Sequence, residues 1–473
     1  MYHVEMINVK RSDELFDYCA DITGKAKNMY NVANFYIRNT MTGLSKPFEK
    51  LTENEREVLS AVSDGVDKAN TKSGNKRKSV AFKKPTMDKW FLNYNILDAV
   101  FKALDNVDYR SHHIHVIQNA ISDCCEAWKG YFASLKAYSA DPSAFLGKPK
   151  LPGYVKSDHR TAVLSNQAAR IKDGKLSLPK TKVKPDVSGL PHSSDKLIEV
   201  RITPYFDLYR IQVITDDGEP ERLTEATRIP EGAGVASLDL GLTNFAAFTD
   251  NKGFTPIVIK GGFLKSINQW YNKRTSELRG ILMRGHDPKR YNPVTTKQMN
   301  AVSRRRDAII TDGFYKIAHH ICRIASERGL QYVLCGKNTE WKQEINMGHK
   351  NNQEFVQIPH SRFISILKTV SRKYDITVIE QEESYTSKAS FLDNDPIPVY
   401  GETDSEPAFS GKRVRRGLYK SKDDVLINAD VNGAANIGRK HNVNLYDDVN
   451  DFSYLTDTVA VIGFRDLNPV SCK

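Results

Sequence analysis

Residues 234–260, GVASLDLGLTNFAAFTDNKGFTPIVIK, decide the reading of the chain. Gly234 to Leu238 form an apolar run of buried-strand type that ends in a carboxylate, Asp239. Asn244–Thr249 and Thr255–Lys260 read as two further strands, and Asp250-Asn251-Lys252-Gly253 between them is a turn signal. An aspartate closing a buried strand is ordinarily a turn residue, so its meaning rests on what the rest of the chain brings to it.

Downstream, a long helical pattern reaches about residue 329 and leads into a strand at Tyr332–Cys335. A helix over 359–374, a strand at Thr377–Glu380 and a final helix from Asp430 follow. Three strands, then helix–strand units, is the order of a ribonuclease H-like α/β domain. Upstream, one short strand precedes helical spacing through Leu15, Cys19, Ile22, Ala26, Met29, Ala33 and Ile37, and again over 91–107 and 111–138. FLGKPKLPGY (145–154) breaks the helical pattern, and the period then turns toward two. Ile171 to Leu176 reads as a hairpin turning at Asp173-Gly174, and Ile198–Thr203 with Tyr209–Ile214 as an antiparallel pair. With the first strand these suit a small β-barrel that receives the helices as an insertion. The fold class is α+β and multidomain.

The chain's 473 residues allow about three domains. Its formal net charge of +12 asks for an anionic partner, with nucleic acid first. The six cysteines include no CxxC pair, which argues against a disulfide scaffold or a cysteine-bound zinc knuckle. Glu5, Lys10, Arg11 and Asp13 interrupt any secretory signal, and no uncharged apolar run approaches a membrane span, so a cytoplasmic protein with no membrane partner is expected. The basic charge falls in four runs. Residues 67–89 hold eight Lys/Arg against two Asp, and 147–186 hold ten against three. The others span Lys265–Arg306 and Lys412–Lys422. Such runs interleaved with aromatics suit a surface that tracks a phosphate backbone. The residues picked for that role are Lys76, Arg77, Lys78, Lys148, Lys150, Arg304, Arg305, Arg413, Arg415 and Arg416, with Gln118 as a reader of base edges.

Asp239 in SLDLGLTN and Asp430 in INADVNGAANIGRK lie 191 residues apart, so only the fold can pair them. A strand-borne and a helix-borne aspartate facing one another would form a carboxylate clamp for Mg²⁺, which prefers oxygen ligands. Asp430 also occupies an N-cap-like position, a role compatible with ligation.

SLDLGLTN, ESYTSKASFLD (383–393) and ADVNGAANI (429–437) resemble the three blocks of the RuvC-type nuclease domain of TnpB proteins, the transposon-encoded RNA-guided nucleases from whose lineage type V CRISPR-Cas effectors derive. LFDYCADITGKAKNMYNVANFYIR and FLGKPKLPGY resemble the family's opening segment and connector, in the right order. The resemblance implies a wedge-like β-barrel (1–12 and 146–230) interrupted by a helical recognition domain (13–145), then a RuvC-like nuclease (231–388 and 428–473) carrying an insert (389–427). It implies guide RNA and target double-stranded DNA as partners, a short target-adjacent DNA motif, and two Mg²⁺ ions, replaceable by Mn²⁺ in vitro. It does not fix an oligomeric state or the origin of the guide.

Two departures from the family pattern matter. The family commonly carries a glutamate at the end of the strand matching Tyr332–Cys335, where this chain continues Cys335-Gly336-Lys337-Asn338. Some relatives use a glutamate just before the Thr-Ser of the third block instead. Distance to Thr386-Ser387 picks Glu383; strand alternation from Val378 puts Glu380 and Glu382 on one face; Glu340 is a distant further choice. The family also places a four-cysteine zinc ribbon before the last aspartate. Residues 389–429 contain neither cysteine nor histidine, so no zinc is expected there. Two functions follow: an RNA-guided DNA endonuclease using Asp239, Glu383 and Asp430, or a nuclease-inactive RNA-guided DNA-binding repressor.

Overall fold

In the computed structural model the chain divides into two compact units, Met1–Glu221 and Arg222–Lys473. The structure describes residues 2–73, 81–218, 229–287, 295–337, 358–399, 407–415, 417–449 and 451–467. The chain is a mixed α+β protein.

In the first unit, strands β1 (Tyr2–Val9), β2 (Ala162–Ser165), β5 (Lys196–Tyr205) and β6 (Leu208–Asp216) form an antiparallel sheet in the order β1-β6-β5-β2. The expected barrel does not close. β2 spans only four residues, and β1 and β2 remain the two edges among the described residues. β3 (Arg170–Lys172) and β4 (Lys175–Ser177) form a separate two-stranded hairpin through Asp173 and Gly174. Both turn residues have positive φ, +52° and +68°, as a type I′ turn requires. Between β1 and β2 in sequence lie the helices, chiefly Phe16–Leu44, Glu53–Ser73, Tyr94–Ala103 and Ile114–Ala140. They share a core around Met29, Ile37, Val62, Phe101 and Trp128, whose indole N–H donates to Asn34 Oδ1 at 2.9 Å.

The second unit is built on a six-stranded sheet of β7 (Val235–Leu240), β8 (Asn244–Asp250), β9 (Ile257–Lys260), β10 (Tyr332–Lys337), β11 (Thr377–Glu382) and β15 (Ala460–Ile462). The spatial order is β11-β10-β7-β8-β9-β15. β7, β10 and β11 run parallel, while β8 is antiparallel to both its neighbours. β15 was not expected from the sequence. It is three residues long, too short to show a period. The expected single helical stretch after β9 is two helices, Gly262–Leu282 and Lys297–Glu327.

Alternation along the strands sorts the two faces. Ala236, Leu238, Phe245 and Cys335 share a core with Ile317, Ile321, Phe363 and Leu367 of the helices Lys297–Glu327 and His360–Ser371. Val235, Ala247 and Leu334 share another with Val431, Ala434, Ala435 and Ile437 of the helix Ala429–His441. Asp239 has the parity of Val235, so it faces Ala429–His441. Asp430 is not the cap of that helix. Asn428 is, its Oδ1 accepting the Asp430 and Val431 N–H groups at 3.0 and 3.2 Å. Asp430 sits in the first turn, where the helix dipole favours a negative charge.

Two glycines give opposite expected outcomes in urea unfolding of the chain. A Cβ at Gly174 would meet Ser188 Cβ at 2.7 Å on a left-handed backbone, so Gly174→Ala should cost about 1–2 kcal/mol. Gly130 lies inside the helix Ile114–Ala140 with open space beside it, so Gly130→Ala should stabilise by roughly 0.5–1 kcal/mol.

Candidate metal centre

The two aspartates meet because the helix Ala429–His441 lies unusually close on β7. A Cβ at Gly433 would stand 2.6 Å from Asp239 Oδ2. One at Gly438 would stand 2.5 Å from Ser237 Oγ and 2.7 Å from the Tyr446 hydroxyl. Asp430 is one helical turn before Gly433, on the same side of the helix. Asn244 of β8 donates through Nδ2 to Asp430 Oδ2 at 2.6 Å, and Lys260 of β9 donates to Asn244 Oδ1 at 3.1 Å. Arg413 reaches Asp430 Oδ1 at 3.4 Å. Burial, and then the negative charge of Asp430, hold the Asp239 carboxyl well above the usual carboxylate range; Arg413 opposes them.

The three glutamates of VIEQEES separate cleanly. Glu380 pairs with Lys368 at 2.7 Å and with Lys337. Burial raises its carboxyl, but the two lysines outweigh burial and hold it low. Glu382 pairs with Lys440 and accepts the Ser384 N–H; these outweigh its burial too. Glu383 follows Ile379 and Gln381 in parity, toward the helix Ala429–His441. Its Oε2 lies where a Cβ on Gly336 would stand. Burial, and then the charges of Glu383, Glu380 and Asp239, push the buried Cys335 thiol up. The strand order places β10 between β11, which leads into Glu383, and β7, which carries Asp239. Glu340 lies outside the described residues.

The three carboxylates are neighbours without being fully gathered. Among the described residues, the one trio of His, Cys, Asp or Glu donors within 4.8 Å of one another is His3, His192 and Asp195 of the first unit. There the imidazoles stack at 3.5 Å with planes 5° apart, so their in-plane lone pairs do not converge on one ion. In the second unit the donors are hard carboxylate oxygens with a guanidinium on one of them, a set suited to Mg²⁺ or Mn²⁺.

A family model described as "Probable transposase" (OrfB_IS605) matches residues 210–342, and one described as "Cas12f1-like, TNB domain" matches 360–437. The second ends within the helix that carries Asp430. The two matches support the TnpB and type V effector lineage. That lineage is a family of RNA-guided nucleases. No curated protein matches the chain. Solved structures that resemble it include a Cas12f1–sgRNA–target DNA complex, at 12% identity and TM-score 0.43 over 90% of this chain and 82% of that one. Another is a CRISPR-Cas12f ternary complex, at 13% identity and TM-score 0.31 over 89% and 80%. A third is Alicyclobacillus acidoterrestris C2c1 with single-guide RNA, at 11% identity and TM-score 0.30 over 89% and 70%.

Three asparagines that went unremarked in the sequence support the site. Asn244 stands five residues after Asp239 and holds Asp430. Asn432 and Asn436, four apart on one helix face, clamp the segment after Glu383. Asn432 Nδ2 donates to Ala389 O and Asn436 Nδ2 to Thr386 O and Ala389 O, all at 2.8–2.9 Å. The signal was there in N-G-A-A-N, whose spacing puts both amides on one face. In the segment without zinc ligands, β12 (Lys412–Arg415), β13 (Leu418–Lys420) and β14 (Leu426–Asn428) form an antiparallel sheet. It is tied down by carboxylates. Asp395 accepts the Ser390 N–H at 2.8 Å and the Ser410 N–H and hydroxyl at 3.1 and 2.5 Å; Asp393 accepts the Lys422 N–H at 2.9 Å. Tyr419 donates to Lys388 O at 2.7 Å.

The residues picked for nucleic acid fare differently. Lys148, Lys150, Arg305, Arg413 and Arg415 are exposed, Arg305 over the Trp270 ring, while Arg304 is half-buried. Lys76, Arg77, Lys78 and Arg416 lie outside the described residues. Gln118 donates to Asp98 Oδ1 at 3.0 Å and lines a polar pocket with Tyr94, His115, Asn119, Ser122 and Ser165.

Two outcomes follow. A carboxyl whose folded pKa is raised destabilises the fold above its unfolded value, so in metal-free buffer at pH 8 Asp239→Asn should gain about 1–2 kcal/mol. The gain should fade as pH drops through the raised folded value and vanish below about 4, as the unfolded carboxyl is protonated too, and unfolding midpoints across pH read it. Asp395→Ala removes several hydrogen bonds to a buried charge and should cost on the order of 2–3 kcal/mol, read as faster proteolysis near residues 407–428.

Proposed function

We propose that this chain is an RNA-guided DNA endonuclease with a single Mg²⁺-dependent, ribonuclease H-like (RuvC) active site. Asp239, Asp430 and Glu383 are the ligands of two divalent ions. The observation that carries the reading is the approach of Asp239 and Asp430, across a helix–strand contact so close that a Cβ at 433 would stand 2.6 Å from Asp239 Oδ2. Two part-buried carboxylates facing each other repel, and their approach costs the fold unless it serves a compensating role. The strand order β11-β10-β7-β8-β9, with four strands running one way and β8 antiparallel to them, supports the ribonuclease H-like assignment.

Divalent ions, when bound, supply the charge that activates the attacking water and stabilises the leaving oxygen of a phosphodiester. The chain's residues do the rest. Asn244 orients Asp430 and is itself oriented by Lys260. Asn432 and Asn436 fix the loop that carries Glu383. Arg413 lies beside Asp430 and offsets its charge, a role that bound cations would take over. Guide RNA and target double-stranded DNA are the partners, and the basic runs, with Lys148, Lys150, Arg305 and Arg415 exposed, neutralise their backbones without reading sequence. The site of action is the cell compartment that holds the DNA target.

The test is cleavage of a plasmid library with randomised flanks by the protein copurified with its RNA in Mg²⁺. Asp239→Ala, Asp430→Ala and Glu383→Gln should each lower the rate by about 10³-fold or more, while Glu380→Gln and Glu382→Gln should stay within about tenfold of the parent. Guide-dependent binding without any cutting by the parent would replace this reading with the repressor.

A further inference from the structure

We infer that Phe206, at the tip of the β5–β6 hairpin, is a stacking platform for an unpaired nucleobase of the bound RNA. The inference rests on the guide-RNA partner proposed above and names one contact for it.

Phe206 and Asp207 alone join β5 to β6, since Tyr205 pairs with Leu208 across the turn. A two-residue connection that matches the twist of its strands needs positive φ at its first residue, a place that glycine, asparagine or aspartate fills with least strain. The hairpin through Asp173 and Gly174 follows that rule. At the β5–β6 tip the residue with positive φ, +55°, is a phenylalanine. Among the described residues, five of the eight non-glycine positions with positive φ are aspartate or asparagine, and a bulky ring there is an outlier. Strain of this kind persists where the side chain itself is needed.

The fold does not need the ring. Phe206 is 44% exposed and stands outside the core of its unit, which gathers around Val200, Ile202, Ile211 and Val213. It is held from the side instead. The Tyr205 ring meets it in a T-shaped contact, with centroids 4.7 Å apart. The Arg210 guanidinium lies 3.6 Å from the centre of the Tyr205 ring, and Arg210 Nε donates to Asn8 Oδ1 at 3.3 Å. Thr203 pairs with Arg210 and Arg210 with Asn8, so Tyr205, Arg210 and Asn8 share the face of the sheet opposite that core. These contacts fix the ring at the tip and leave much of it in solvent.

Charge and residence name the occupant. Val9 pairs with Tyr209, which brings Lys10 and Arg11, both exposed, to the end of the sheet that carries Phe206 and Arg210. Among the described residues none of these three cations is paired with a carboxylate. Asp13 stands near them in sequence, but its carboxylate accepts the Lys10 N–H at 2.8 Å. A polyanion with planar bases suits such cations and an exposed ring together, the combination found on surfaces that hold single strands. A ring held out on a strained backbone is uncovered at all times unless a resident partner covers it. Under the proposed function the RNA is resident, and target DNA comes and goes.

The test uses the full chain and the RNA that copurifies with it. Ultraviolet irradiation of the complex should crosslink RNA to the peptide carrying Phe206, and Phe206→Leu, which stays apolar and loses the plane, should lose that crosslink. With the RNA removed and titrated back, Phe206→Leu and Phe206→Asn should bind it about tenfold or more weakly, and Phe206→Trp within about threefold of the parent. In the RNA-free chain Phe206→Asn should raise the unfolding midpoint, because asparagine tolerates positive φ; a ring kept for the fold gives the opposite sign. Parent-like RNA affinity in both Phe206→Leu and Phe206→Asn, or a lowered midpoint in Phe206→Asn, would overturn the inference while the parent still binds its RNA. A defect confined to target DNA binding would overturn it as well. A parent that neither retains nor rebinds RNA would instead remove the proposed function beneath it.

Discussion

The second unit is organised around a contact that is unfavourable by itself. Asp239 and Asp430 are held close enough that one carboxylate raises the other, and the helix Ala429–His441 is packed so tightly on β7 that a methyl group at Gly433 would touch Asp239. Hydrophobic packing of Val431, Ala434, Ala435 and Ile437 on the sheet supplies the opposing stabilisation. Small residues along that helix reduce the apolar area available, so closeness is obtained at some expense of burial. Such a compromise is expected where side chains must converge on something other than each other.

The same logic extends outward. Asp430 is held by Asn244 and Arg413, Asn244 by Lys260, and the Glu383 loop by Asn432 and Asn436. Glu380 and Glu382 are occupied by lysines, and Glu383 lies on the face shared with the helix Ala429–His441. Where cysteines would hold a zinc ribbon in relatives, Asp393 and Asp395 gather serine and backbone donors instead. Carboxylate-to-backbone hydrogen bonds can fix a small sheet without metal because each is charge-assisted and partly shielded from water.

Much of this was legible in the chain. The strands around SLDLGLTN, the Asp-Gly hairpin and the helical stretch between the first two strands of the sheet all show the periods their structures require. Asp239 and Asp430 were legible as a pair only through the order of blocks, since nothing local links residues so far apart. Barrel closure was not legible, because strand pairing at an edge depends on lengths such as the four residues of β2, which the pattern does not bound. The N-cap was misassigned by two residues because Asn428 and Asp430 are both good caps, and only the turn geometry separates them. Gly336 looked like a missing ligand in sequence; in space it is the gap through which Glu383 reaches.

The most direct measurement is anomalous X-ray scattering from crystals of the full chain soaked in MnCl₂. The account predicts Mn²⁺ peaks bounded by Asp239, Glu383 and Asp430, with Arg413 withdrawn from Asp430. Ordered crystals with Arg413 still on Asp430 and no Mn²⁺ peak among the three carboxylates, at concentrations that fill other acidic sites, would contradict it.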